Sequence, residues 1–178
     1  MRWAAALLTA VSVCAAAEPV VVDFENVTVL LANDKANRVP QYVEKGVTFT
    51  LAHEPKQTKG KGMLGFFTHL STGHKGLVSA MATEPIPVRA TFPASVSSVT
   101  VTFWGSTGVP AVLEAFDSEG KVVDRAKLDS APARKASGDP APTFSLTVKS
   151  PRIAYIEFSG PREGEFLAAD EVRFTPAD

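Results

Sequence analysis

Short runs in which β-branched or aromatic side chains alternate with polar ones recur along nearly the whole chain, and nothing else in the sequence constrains its fold as tightly. In "GVTFTLA", residues 46–52, Val47, Phe49 and Leu51 alternate with Thr48 and Thr50. A period of two places alternate side chains on opposite faces of an extended strand, one toward a core and one toward water. The same reading applies to "VVVDF" (20–24), "VTVLL" (27–31), "VRATF" (88–92), "SVTVTFW" (98–104), "PAVLEAF" (110–116), "KVVDRAKL" (121–128), "TFSLTV" (143–148), "IAYIEF" (153–158) and "DEVRF" (170–174). No window sustains a helical period, and proline-containing junctions such as "FPAS" and "KSPR" punctuate the runs. Many short strands joined by turns predict an all-β fold, an antiparallel β-sandwich of jelly-roll type.

One hairpin stands out. In "LEAFDSEGKVVDRAKL" Asp117 opens the turn and Gly120 supplies the residue that tolerates positive φ. Val112, Glu114 and Phe116 share one face of its first strand, and Ala111, Leu113 and Ala115 the other. Both faces are largely apolar, which places the hairpin centrally in its sheet. Two segments break the strand pattern: 53–76, rich in Gly, Lys, Thr and His with "MLGFF" embedded, and the Pro/Ala/Ser-rich 129–143. Both read as loops within one domain, and no internal repeat is present.

The opening "MRWAAALLTAVSVCAAAEP" has the layout of a secretory signal: Arg2, an apolar run from Trp3 to Val13, then Ala15-Ala16-Ala17 as a cleavage site. The run is too short to span a bilayer. Cleavage after Ala17 would take 17 of the 178 residues and leave 161, enough for a single sandwich domain over 18–178. Cys14, the only cysteine, would leave with the signal, so stability would come from packing and bound metal rather than disulfides. Lipidation at Cys14 is the minor alternative, because Val13 stands where a bacterial lipobox wants Gly or Ala. The expected compartment is therefore secreted or periplasmic. A formal net charge of −1 offers nothing to nucleic acid or an anionic membrane, and no later stretch reads as a transmembrane span.

Taken in order, "VDFEN", "VPQYVEKGVTFT", "VLEAFDSEGKVV", "SPRIAYIEFSGP" and "LAADEVRF" resemble exported bacterial β-sandwich domains related to carbohydrate-binding modules and galactose-binding-like folds. The resemblance covers nearly all of residues 18–178, and the order of the motifs carries it, since each alone is weak. It implies a jelly-roll sandwich, often with a structural calcium ion, and binding rather than catalysis. The chain departs from that pattern at Asp170-Glu171, where relatives often carry Asp-Asp or Asp-Asn, in the unalignable segment 53–76, and in lacking a membrane-sorting tail.

The acids supply the candidate metal ligands. Asp170 and Glu171 open the last strand, and in a jelly roll the first and last strands can be neighbours, bringing Asp23 and Glu25 toward Asp170. Alternation puts Asp170 on the face of Val172 and Phe174, where a coreward carboxylate needs a metal, a backbone N–H or an arginine. Glu171 points with Arg173 to the other side. Calcium takes six to eight oxygens, so Asp23, Glu25 and Asp170 are the expected Ca2+ ligands. His53, His69 and His74 read as solvated loop residues, because the five-residue step in "HLSTGH" fits neither a helical nor a one-faced strand pair.

Candidate ligand-binding aromatics are Trp104, at a strand end before "GSTG", and Phe66 and Phe67 in "KGKGMLGFF". That glycine-rich segment lacks the Lys-Ser/Thr of a P-loop. Its plainer reading is a loop over a small cluster of Met63, Leu64 and Phe66, and the plainer reading of Trp104 is a core cap. No Gly-x-Ser-x-Gly elbow or His-Glu-x-x-His is present, and the predicted chain is not an enzyme. The leading expectation is a non-catalytic module for an extracellular glycan, with an adhesive or structural module contacting another protein as the alternative. The first predicts an exposed Trp104, the second a buried one.

Overall fold

In the computed structural model, residues 17–30, 37–55, 63–69, 72–80, 86–105, 110–132, 142–159 and 167–177 are described. The signal-like residues 1–16, Cys14 among them, "KGKG" (59–62), residues 106–108 of "GSTG" and most of the loop 129–143 lie outside them.

Among the described residues eleven strands form: β1 (Val20–Val22), β2 (Arg38–Val39), β3 (Tyr42–Glu44), β4 (Val47–Leu51), β5 (Met63–Thr68), β6 (Lys75–Ala80), β7 (Val88–Gly105), β8 (Ala111–Phe116), β9 (Val122–Leu128), β10 (Thr143–Ser159) and β11 (Leu167–Pro176). Every pairing is antiparallel. The sequence runs 88–92 and 98–104 fuse into the long β7, and 143–148 and 153–158 into β10. These two strands pass between sheets. Their register shifts between Lys149 and Ile153, opposite Ser98 and Val96, and again between Ile153 and Tyr155. Such irregularities bend a strand around a sandwich corner. The first half of β7 pairs with β4 and the second half of β10 with β8, giving one layer, β3-β4-β7-β10-β8-β9. The second half of β7 pairs with β11 and the first half of β10, giving the other, β2-β5-β6-β11-β7-β10, with β1 also on β11. The fold is an antiparallel β-sandwich of jelly-roll type.

Between the layers, side chains of alternate residues interlock. Tyr42 of β3 meets Phe66 of β5 edge-on at 5.0 Å, Phe92 meets Phe174 at 5.0 Å, and Phe103 meets Phe158 at 5.8 Å. Val47, Phe49, Leu113, Ile156, Val101 and Val172 are fully buried among them. Removing such surface from water is the main stabilising term for a sandwich of this size.

Four details differ from the sequence reading. Residues 27–30 of "VTVLL" form no strand (Leu31 lies outside the described residues). The Asn37 side chain takes the place of a ladder there: its Oδ1 accepts the Leu30 N–H at 2.8 Å and its Nδ2 donates to the Leu30 carbonyl at 3.1 Å. Segment 53–76 is not all loop, because "MLGFFT" is β5 and pairs with β6, and Leu64 and Phe66 belong to the main core rather than to a satellite cluster. The β8–β9 hairpin is peripheral, with β9 on the sheet edge. The apolar outer face that suggested a central place is covered locally: Phe116 stacks on Tyr155 at 4.7 Å, and Arg89 lies over Tyr155 at 4.5 Å. Finally, Asp170 does not share the face of Val172 and Phe174 by simple alternation, for a reason that builds the site.

Candidate metal centre

Along one side of β11 the neighbouring strand changes at Asp170. Ala169 pairs with Leu77 of β6, whereas Val172, Arg173 and Phe174 pair with Val22, Val21 and Val20 of β1. On the other side, Ala169 faces Phe103 and Glu171 faces the next residue back, Thr102, so Asp170 is an extra residue without a partner. This is a β-bulge, which re-aims a side chain and resets the alternation. Ala169 is therefore in the core, and so are Val172 and Phe174. Asp170 is aimed at the junction where β1 ends and β6 begins.

Each of those ends delivers a donor. After β1 the chain turns at Phe24, whose φ of 58° is rare for a bulky residue, and its carbonyl accepts the Val27 N–H at 3.1 Å. The turn buries the Phe24 ring against Phe49 at 5.3 Å and swings Glu25 outward. Before β6, Gly73 takes φ 76° in a turn closed by the His69 N–H donating to the His74 carbonyl at 2.7 Å. The Lys75 N–H then donates to Glu25 Oε1 at 3.0 Å, and the Lys75 ammonium to the Glu25 carbonyl, tying the two ends together. One donor atom each from Glu25, His74 and Asp170 lies within 4.8 Å of the others. Side-chain rotation that draws these atoms somewhat closer would let one ion with bonds of about 2.0–2.2 Å touch all three.

Asp170 is the least satisfied of the three side chains. Its Oδ1 is buried and accepts no hydrogen bond among the described residues, and His74 Nδ1 stands 3.7 Å away, beyond hydrogen-bond reach. Burial raises the Asp170 pKa; His74 opposes the rise, while Glu25 and Glu171 reinforce it and His69 opposes it. A desolvated carboxylate flanked by two others is a site that gains from a cation.

Of the expected calcium ligands, the structure brings Glu25 and Asp170 together. Asp23 is not in the group; its Oδ1 accepts the Glu25 N–H at 3.3 Å and shapes the turn. His74, read from sequence as a solvated loop residue, takes the third place. The signal for it was unreadable, because the five-residue spacing from His69 is irrelevant: the partners come from other strands. Glu171 pairs with Arg173 at 3.1 Å, as its side of the strand suggested. Of the three side-chain donors, two are carboxylates and one is an imidazole.

The expected ligand-binding aromatics are placed differently from an exposed platform. Trp104 is 7% exposed and packs with Val78 and Ala168 in a small cluster on the outer face of its sheet, with Phe67 against it and His69 edge-on at 4.8 Å. Phe66 is 2% exposed in the main core. Only Phe67 of the three is partly exposed. The physical cause is Gly76, which lets the indole lie so close to β6 that a Cβ there would fall 3.0 Å from Trp104 Nε1.

No family model and no curated protein matches the chain. Among solved structures it is similar to the K2 cleaved adhesin domain of Lys-gingipain, with 12% identity over 89% of this chain and 99% of that one and a TM-score of 0.43. It is also similar to TmCBM61 in complex with beta-1,4-galactotriose, with 14% identity, 74% and 83% coverage and a TM-score of 0.34. A third, described as a CBM4, shows 14% identity, 90% and 92% coverage and a TM-score of 0.26. Likeness at this level assigns no ligand.

Proposed function

We propose that the chain is an exported, non-catalytic binding module whose partner is an extracellular protein surface, with a divalent ion holding the ends of β1 and β6 to the bulge of β11. The burial of Trp104 and Phe66 carries the choice of partner, because a sugar ring stacks on an open aromatic face and neither ring offers one. Tyr155 is no open platform either, since Phe116 stacks on its ring and Arg89 lies over it. The non-catalytic reading is supported by the sheet-face carboxylates, which sit beside arginines: Glu157 with Arg89, Glu114 with Arg125 and Glu171 with Arg173. Export rests on the signal-like opening of the sequence. Among the described residues no helix is long and apolar enough to cross a membrane.

Glycan binding is the second reading, and the partly exposed Phe67 favours it. Labelled protein applied to the surface of the cells that export it separates the two. Binding lost after protease treatment of the cells and kept after periodate supports a protein partner. Binding lost after periodate, which cleaves sugar diols, and kept after protease would overturn that choice in favour of glycan.

A further inference from the structure

We infer that the site formed by Glu25, His74 and Asp170 selects a nitrogen-accepting transition ion of the zinc class over calcium. The inference rests on the metal reading above and concerns the identity of the ion. Ligand type is its first ground. Imidazole suits zinc and its neighbours, whereas calcium takes carboxylate, carbonyl and water oxygens. Three protein side chains of mixed nitrogen and oxygen type, with a position left for water, match a common zinc arrangement.

The second ground is the fate of the other oxygens at the junction. Calcium needs six or more, and several oxygens near the junction already accept hydrogen bonds, Glu25 Oε1 from the Lys75 N–H among them. Asp23 Oδ1 accepts the Glu25 N–H at 3.3 Å. The Glu25 carbonyl accepts the Lys75 ammonium. Glu171 Oε1 accepts both Arg173 Nε at 3.2 Å and Nη2 at 3.1 Å. Drawing Asp23 Oδ1 and the Glu25 carbonyl to calcium would compete with the contacts that present Glu25. A four-coordinate ion makes no such demand.

The third ground is the gap between His74 Nδ1 and Asp170 Oδ1. At 3.7 Å they face one another without a direct hydrogen bond, and Oδ1 is buried without a donor. A single ion bound to both satisfies that oxygen. The His74 side chain is 62% exposed, so changing it alters the donor set without opening a core.

The test is calorimetric titration of the purified, EDTA-stripped protein with zinc chloride and, separately, calcium chloride, on wild type, His74→Ala and His74→Asp. We expect zinc to bind at least tenfold more tightly than calcium. His74→Ala should lose tenfold or more in zinc affinity, and His74→Asp, which makes the set all-oxygen, should narrow or reverse the preference. Calcium binding more tightly than zinc in wild type would overturn the inference and leave the metal reading standing. Zinc binding unchanged in His74→Ala would place the ion elsewhere and also overturn it. Binding of neither ion would remove both.

Discussion

Replacing Gly76 by alanine tests the packing that hides Trp104, and its sign distinguishes two physical effects. A glycine inside a strand ordinarily costs about 0.5–1 kcal/mol relative to alanine, so Gly→Ala in β6 would by itself stabilise the protein. Here the added Cβ would lie 2.8 Å from the Ala168 Cβ and 3.0 and 3.1 Å from Nε1 and Cζ2 of Trp104. Carbon atoms prefer about 3.5–4.0 Å, so the overlap with Ala168 is more than half an ångström and falls on a side chain that cannot rotate away. Overpacking of this kind costs roughly 1–3 kcal/mol. The clash outweighs the gain, leaving a net loss of about 1–2 kcal/mol. For a domain of this length that lowers the melting temperature by about 2–8 °C. Thermal and urea unfolding followed by Trp104 fluorescence measures it, and Ala168→Gly in the same chain should recover part of the loss, since it removes the nearest atom. A Gly76→Ala protein as stable as wild type or more so would refute the close packing, and with it the argument that Trp104 is withheld from ligand.

Three further predictions concern the rest of the fold. Tyr42 donates to Glu44 Oε2 at 2.9 Å, and burial first, then the Glu44 hydrogen bond and charge and the Asp23 charge, hold its pKa above the usual tyrosine range. Because the folded value is raised, the associated stability is complete below about pH 10 and drains as pH climbs above it, where only the unfolded chain gives up the proton. Tyr42→Phe should lose about 1–2 kcal/mol at neutral pH and lack that alkaline decline in urea titrations. Asn37→Ala removes both bonds to the Leu30 backbone and should cost about 1–3 kcal/mol by the same assay; no change would show that water serves Leu30 equally well. Arg89→Ala removes a half-exposed ion pair to Glu157 and the cation over Tyr155, a loss of about 1 kcal/mol that high salt should only partly mask in wild type.

The sandwich was legible because its signal is local. Alternation in "GVTFT", "SVTVTF" and "AVLEAF" matches the buried positions Val47 and Phe49, Val99, Val101 and Phe103, and Ala111, Leu113 and Ala115. The turn residue Gly120 has φ 80° as its place in "DSEG" required. What escaped was set by contacts distant in sequence. Residues 27–30 look like a strand, yet a side-chain amide seven residues from Leu30 satisfies its backbone. "MLGFF" looks like a loop beside glycines until β6 pairs with it.

The site divides in the same way. Acids near the two ends of the chain could be matched by assuming that first and last strands are neighbours, and Glu25 and Asp170 do meet. The bulge at Asp170 leaves no mark in an alternating pattern, and it decides where that carboxylate points. His74 enters only because β6 starts where β1 ends, a juxtaposition that no spacing within "HLSTGH" encodes. Trp104 was ambiguous from sequence because its burial depends on a missing side chain at Gly76, in a different strand.

The most direct test of the account is an anomalous-difference map from crystals of the protein grown with zinc and measured above and below the zinc absorption edge. The account predicts one peak between Glu25, His74 Nδ1 and Asp170 Oδ1. An empty junction, with Asp170 Oδ1 accepting a hydrogen bond from water or from His74, would contradict it and return these residues to the role of an ordinary strand end.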